Sequence, residues 1–334
     1  MNRITRLKTP IHFRSYAAVG GYEERNGPLG ERFDFCDLSD KFGQKTWEIA
    51  EAEMGRVALN IAMSKASLSH ENIELLVAGD LQNQCVASST GLCGFGIPFI
   101  GVYGACSTCT ESLMTLSSFI DSSEKMSLGA AVTTSHNSAA ERQFRTPIEY
   151  GGQRAKTAQW TSTAAGAFIL GRGDGDIMIT EYMPGRIVDG ATSDGANMGG
   201  AMAFSAYDSI SAYFGESNSD FREFDYIVTG DLGRVGSEIL KELLEKNIPG
   251  SEKLHTDCGL LLYDFQNQDV HSGASGCGTS ASVLACHFLP LLKEGKIKKI
   301  LFMSTGALMS PSSLLQGENI YGIAPIITIE SRNF

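Results

Sequence analysis

The chain has 334 residues, of which 43% are hydrophobic and 19% charged, and a formal net charge of −11. That length suffices for about two domains around a large buried core, while the acidic balance excludes broad contact with nucleic acid or anionic lipid, which select clustered cations. No run approaches the roughly 18 apolar residues of a membrane span, and residues 1–15 carry Arg3, Arg6, Lys8 and Arg14 without the apolar segment of a secretory signal, so a chain made and kept in the cytosol is expected.

In chain order, the first strong pattern is helical: Trp47, Ala50, Met54, Val57 and Ile61 recur at helix spacing. Residues 73–81 (IELLVAGDL) then read as a buried parallel strand running into a loop. Residues 104–108 (GACST) open a helix that carries Leu113, Leu116 and Ile120 on one face, and a strand is expected over 127–134. The same order returns later. Residues 224–232 (FDYIVTGDL) repeat the strand and its Gly-Asp-Leu ending, and Val235, Ile239, Leu240, Leu243 and Leu244 form an amphipathic helix. Residues 275–279 (SGCGT) open a helix with Val283, Cys286 and Leu289 that Pro290 ends or bends, and a strand follows over 300–304.

An internal repeat of alternating strands and helices predicts two related α/β halves with parallel sheets covered on both faces. Two such halves about a pseudo-twofold axis give a five-layered α-β-α-β-α sandwich. The boundary is placed near Gly185, giving halves 1–185 and 186–334. Cys106 and Cys277 then occupy equivalent places, each where a glycine-rich turn enters a helix.

Eight cysteines without an export signal read as reduced thiols. Cys106 and Cys109 form one CxxC; a zinc ribbon would need a second pair, while thiol redox chemistry remains an alternative. A thiolate at a helix start gains roughly 0.3–1 kcal/mol from the dipole, less than the ~1.4 kcal/mol of one pKa unit. Cys106 is therefore a moderately reactive thiol that needs a histidine or cation beside it to be a nucleophile, or else a small thiol packed under the sheet.

The turn at Cys106 and residues 276–282 (GCGTSAS) resemble β-ketoacyl-acyl-carrier-protein synthase III and its thiolase relatives. That resemblance implies a thiolase-like fold and an acyl-accepting cysteine at Cys106. It also implies a histidine in the loop after a second-half strand, and an Asn or His at the start of the second-half helix. Here those places hold Gly230 or Asp231, and Cys277, so the proton-handling partners of the condensing reaction are missing. The motifs at 101–108 (GVYGACST), 134–136 (TSH), 140–145 (AERQFR), 157–160 (TAQW), 228–233 (VTGDLG), 255–259 (HTDCG), 268–271 (QDVH), 275–278 (SGCG) and 305–311 (TGALMSP) are together similar to the stage V sporulation protein AD family. Cys109 departs from its pattern, where Ser is expected, and so does Ala324-Pro325, where Ala-His is expected.

This second resemblance implies a subunit of the spore SpoVA complex that binds dipicolinic acid (pyridine-2,6-dicarboxylate), alone or as its calcium chelate. The complex takes up calcium dipicolinate during sporulation and releases it in germination. No enzymatic activity is implied; the alternative is an acyltransferase using Cys106. The expected partners are dipicolinate, other SpoVA membrane proteins and a second copy of the chain, with residence on the spore inner membrane through the complex. Neither cofactor nor metal is expected. Helix starts at Cys106 and Cys277 would offer backbone amides to the ligand's two carboxylates. Arg142, Arg145, Arg154 and Lys156 are candidate cations, of which one or two reach the pocket. His136 ends a strand beside it, and His271 precedes a glycine-rich turn. Asp80 is expected to cap a turn, while for Asp231 cap and ligand contact stay open.

Overall fold

The computed structural model describes residues 3–144, 154–217 and 219–332. Its main sheet contains β1 (Thr5–Gly20), β2 (Leu76–Gly79), β3 (Phe99–Gly101), β4 (Leu128–Ser135), β5 (Ala164–Gly171), β6 (Ile177–Met183), β7 (Tyr226–Thr229), β8 (His255–Asp257), β9 (Lys299–Met303) and β10 (Ile326–Ser331). A short strand, Phe35–Cys36, pairs beside β1. The first five run in the order β3-β2-β4-β5-β1, the second five in the order β8-β7-β9-β10-β6. The two orders are the same, position for position. So are the directions: β2 is parallel to β3 and β4, with β5 antiparallel, and β7 is parallel to β8 and β9, with β10 antiparallel. Counted this way, the second half begins with β6, ahead of Gly185.

The halves join through β1, a 16-residue strand. Its beginning pairs with β6 and its remainder, from His12 to Gly20, pairs with β5, with register shifts between Arg6 and Ile11 and between Phe13 and Ser15. The sequence pattern predicts no strand here. Charges at Arg6, Lys8 and Arg14 interrupt the apolar alternation, and β1 changes partners along its length.

Period-two alternation divides each strand between two cores. On β4 and β5, Ala130, Val132, Ala165, Ala167 and Ile169 face an outer core with helix α1 (Trp47–Lys65). Ala131, Phe168 and Leu170 face an inner core shared with helix α2 (Thr108–Ser122). In the second half, Leu301 and Met303 of β9 face helices α3 (Met198–Glu216) and α4 (Gly233–Asn247), while Ile300 and Phe302 face the inner core, which also holds helix α5 (Cys277–Val283). The result is five layers: helix, sheet, the α2–α5 layer, sheet, helix. After α5 the run continues through a wide turn, Leu284–Phe288, into a last helical segment, Leu289–Lys293. Pro290, which lacks an amide proton, is thus accommodated by a wider turn and does not end the run.

The outer face of the first half conceals a carboxyl. Glu51 on α1 is fully buried; its oxygens accept from Thr134 Oγ1 (3.0 Å) and Gln82 Nε2 (2.7 Å). Burial, and then the neighbouring Asp80 carboxylate, push Glu51 far above the ordinary carboxyl range. Burial likewise raises Glu24 and Asp257 to about 7 and Asp231 to about 6. A carboxyl raised on folding holds a proton that the unfolded chain has already released, so stability is greatest below the unfolded value and declines as pH rises through the folded one. The melting midpoint should therefore fall from about pH 6 to about pH 8.5. Glu51→Gln should flatten that decline and raise the midpoint at the alkaline end by about 2–5 °C, measured by thermal denaturation across pH. An equal decline in the variant would contradict the assignment.

Candidate functional site

A cavity of about 360 Å³ lies where the halves meet. The first half contributes Leu81, Tyr103, Ala105, Cys106 and Thr161; the second contributes Met198, Ser275, Ala307, Leu308, Met309, Ser310 and Ser313. The walls are largely apolar. Their polar groups are hydroxyls and one thiol, and no Lys, Arg or His is among these lining residues.

Cys106 reaches the cavity through a strained entry. The turn Ala105–Ser107 precedes α2, so Cys106 sits one short turn ahead of the helix itself. Ala105 has a φ of 53°, a left-handed conformation costly for a residue with a side chain. Ser107 Oγ and Thr108 Oγ1 bond back to the carbonyls of Gly104 and Ala105 (2.6 and 2.7 Å) and hold the turn. Across the junction, Gly276 has a φ of 100°, and a Cβ there would lie 2.8 Å from Ser135 Oγ. This turn can therefore carry only glycine if α5 is to enter so close to β4.

Asp231, in the loop after β7, stands directly behind both ends. Its Oδ2 accepts from the Gly276 amide (2.9 Å) and Ser275 Oγ (3.2 Å), and its Oδ1 accepts from Thr305 Oγ1 (2.9 Å). The Cys106 thiol lies close enough to this carboxylate for its charge to raise the thiol. Gln159 Nε2 secures the loop by donating to the Asp231 and Ala274 carbonyls (2.8 and 2.7 Å). Asp231 is fully buried. Burial raises it to about 6, and the Cys106 thiol, the Gly276 amide and the Thr305 and Ser275 hydroxyls limit the rise.

This environment reverses the expectation of a dipole-activated thiol. Burial first, and then Asp231, drive the Cys106 thiol well above its usual range. Cys277 is raised by burial and by Cys106, and its Sγ donates to the Thr134 carbonyl (2.9 Å). Cys109 is pushed up to about 12 by burial. Thiol–disulfide exchange needs a thiolate, and both members of the CxxC are held protonated.

Of the residues singled out in the sequence, the fold gathers Cys106, Asp231 and Cys277 at the junction. Cys277 lies beneath the cavity, packed with Cys106, Leu81 and Ala140. The start of α5 is already engaged: the Gly276 amide goes to Asp231 and the Gly278 amide to Ser135 Oγ (3.2 Å). The others go elsewhere. His136 is fully buried, its Nε2 2.8 Å from the Asp40 carbonyl and its ring 5.3 Å from Trp47. His271 bonds through Nδ1 to the Ala155 carbonyl (2.7 Å) and through Nε2 to Asp269 (3.0 Å). Arg142 pairs with Glu48 on the surface, Arg154 stacks on Trp160 (4.9 Å) and pairs with Asp269, and Lys156 is exposed. Arg145 lies outside the described residues. Asp80 accepts from the Gln82 and Ser88 amides and from Ser88 Oγ, the expected cap. Asp257 in the 255–259 motif accepts from Thr229 Oγ1 and the Leu232 and Gly233 amides. Among the described residues, no group of three or more His, Cys, Asp or Glu could hold a metal ion.

Sequence reasoning missed the cavity's second wall. Residues 306–313 descend from the strand Gly306–Leu308 into the short helix Pro311–Leu315 and close one side. The 305–311 motif was visible, but its residue types carry no chemistry that marks a wall. Tyr103 and Thr161 were equally inconspicuous.

The sequence model of the family described as Stage V sporulation protein AD (SpoVAD) matches residues 2–330. The stage V sporulation protein AD of Bacillus subtilis (strain 168) is 42% identical over 323 residues, covering 96% of this chain and 94% of that protein. Among solved structures, the 3-oxoacyl-[acyl-carrier-protein] synthase III of Aquifex aeolicus VF5 superposes with a TM-score of 0.58 at 14% identity, covering 95% of this chain and 99% of that one. The tetronic acid condensing enzyme AbyA1 gives 0.62 at 14% identity, covering 97% and 100%. A single-residue variant of OleA from Xanthomonas campestris gives 0.59 at 13%, covering 98% and 99%. These structural likenesses establish a thiolase-like fold.

Proposed function

The chain belongs to the stage V sporulation protein AD family and so has a role in sporulation; from that premise we propose that its junction cavity binds dipicolinate, free or as the calcium chelate. In this reading the protein is a non-enzymatic subunit of the SpoVA complex. It forms a homodimer, and it is held at the spore inner membrane by the complex's membrane proteins while calcium dipicolinate moves in during sporulation and out in germination. No helix among the described residues is long and apolar enough to cross a membrane, so attachment is assigned to those partners.

The observation that carries the proposal is the shape and chemistry of the cavity. Leu81, Met198 and Leu308 supply apolar walls for a flat ring. Cys106 and Ser275 at one end, and Ser310 and Ser313 in the second wall, are the neutral polar groups that carboxylates would meet, once their hydroxyl and thiol protons turn toward the ligand. Affinity in this account comes from neutral donors and ring burial, because the lining residues include no cation. Filling the cavity tests it. Titration calorimetry with dipicolinate should show at least a tenfold loss of affinity for Cys106→Phe and Ser275→Phe, roughly 1.4 kcal/mol or more. Unchanged binding in both would place the site elsewhere. Fractionation of spores lacking the SpoVA membrane subunits should release the protein from the membrane pellet; undiminished attachment would contradict the partner assignment.

One observation favours an acyltransferase as the second reading: the Cys106 thiol faces an apolar cavity with the Asp231 carboxylate beside it. Asp231 could take the proton as sulfur attacks a thioester, and return it to the leaving thiolate. The raised thiol argues against this at neutral pH. Incubation with acyl-CoA followed by intact-mass spectrometry should give no adduct. A stable acyl group lost in Cys106→Ala would revive the enzyme.

A further inference from the structure

The direction of the hydrogen bonds around Asp231 has a consequence for any anion entering the cavity. Cys106 and Ser275 are the polar groups at that end of the lining. Ser275 Oγ gives its one proton to the Asp231 carboxylate at 3.2 Å, and the Cys106 thiol lies within the field of the same carboxylate. Toward the cavity Ser275 therefore presents a lone pair. A ligand carboxylate placed there would meet an acceptor, with a buried negative charge behind it.

To receive that carboxylate, the Ser275 proton must turn away from Asp231 into the cavity. Asp231 would then keep the Gly276 amide (2.9 Å) and the Thr305 hydroxyl (2.9 Å), losing one of its three hydrogen-bond donors. Among the described residues that line the cavity, none carries an opposite charge. The titratable groups facing Asp231 are Cys106, Cys277, Asp257 and Cys258, all fully or nearly fully buried, and Asp257 is a second acid. His255, beside Asp257's partner Thr229, is bonded to it through Nε2 (2.8 Å), and burial holds it neutral. A buried carboxylate stripped of donors and set beside an incoming anion gains a proton. Once protonated, Asp231 donates to Ser275 or Cys106, whose own protons then point at the ligand.

We propose that carboxylate binding at the Cys106–Ser275 end of the cavity is coupled to uptake of one proton by Asp231. The inference rests on the dipicolinate reading for its ligand and adds the regulation of that site. Binding is a proton-linked exchange: the cavity admits an anion in company with H⁺, and its affinity follows local pH. Dipicolinate keeps both carboxylates ionised across the neutral range, so the linkage belongs to the protein. Asp231 begins near the range where this matters, raised by burial to about 6.

The full chain is titrated with dipicolinate in phosphate and in Tris, whose ionisation enthalpies differ widely, at matched pH near 6 and near 8. Near pH 8 the apparent enthalpies should differ by the amount expected for close to one proton taken up, and the difference should shrink near pH 6. Affinity should fall about tenfold per pH unit on the alkaline side. Asp231→Asn should still bind, with no buffer dependence and a flat pH profile. If that variant does not fold, the wild-type buffer comparison decides alone. Binding with the same enthalpy in both buffers and a pH-independent affinity would overturn the inference and leave the ligand reading intact. Proton uptake persisting in Asp231→Asn would overturn the assignment to this residue. No heat and no binding at any pH would sink the ligand reading itself, and this inference with it.

Discussion

One buried carboxylate organises the junction of this molecule. Asp231 accepts from two hydroxyls and an amide of the second half and stands against a thiol from the first. An unpaired charge in such a place would be prohibitive, and donors aimed at it from several elements make it tolerable. The same donors fix Cys106 as a protonated, weakly nucleophilic thiol and fix the glycine turn that opens α5. A histidine in the loop after β7 would accept or donate a proton; an aspartate there takes protons from its neighbours.

The arrangement depends on how the halves are joined. Because β1 pairs with both β5 and β6, the two five-stranded units form one continuous sheet path. The inner α2–α5 layer is packed from both sides, and the helix entries at Cys106 and Cys277 are brought together beneath the cavity. The strand-order symmetry explains why equivalent cysteines converge. The two cysteines are nevertheless not equivalent in place: one lines the cavity, while the other lies beneath it and bonds to β4.

Much of the fold was legible because it is local and repeated. The paired Gly-Asp-Leu strand endings and the two glycine-rich helix entries revealed the halves, and their alternation fixed the layers. β1 was not legible, since its pattern is cut by cations and its partners change midway. The site was only partly readable. The places of Cys106 and Asp231 follow from motifs, but the thiol's raised pKa arises from burial and then from a carboxylate 125 positions away in sequence, contributed by the other half. His136 and His271 illustrate the limit in another way. A strand end tells where the chain stops but not which face a side chain takes, and both rings turn to backbone carbonyls away from the cavity. The cations of 142–156 have the chemistry of carboxylate ligands, yet the described ones find the protein's own carboxylates or solvent.

The central claim is that the cavity between the halves, ending on Cys106 and Ser275, receives a flat dicarboxylate. The most direct measurement is a crystal structure of the chain with dipicolinate. The account predicts a planar ligand between Met198 and Leu308, with one carboxylate within hydrogen-bond distance of Ser275 Oγ and Cys106 Sγ. A ligand bound instead in the charged cleft of Arg14, Lys65 and Lys293, with the junction cavity empty, would contradict it.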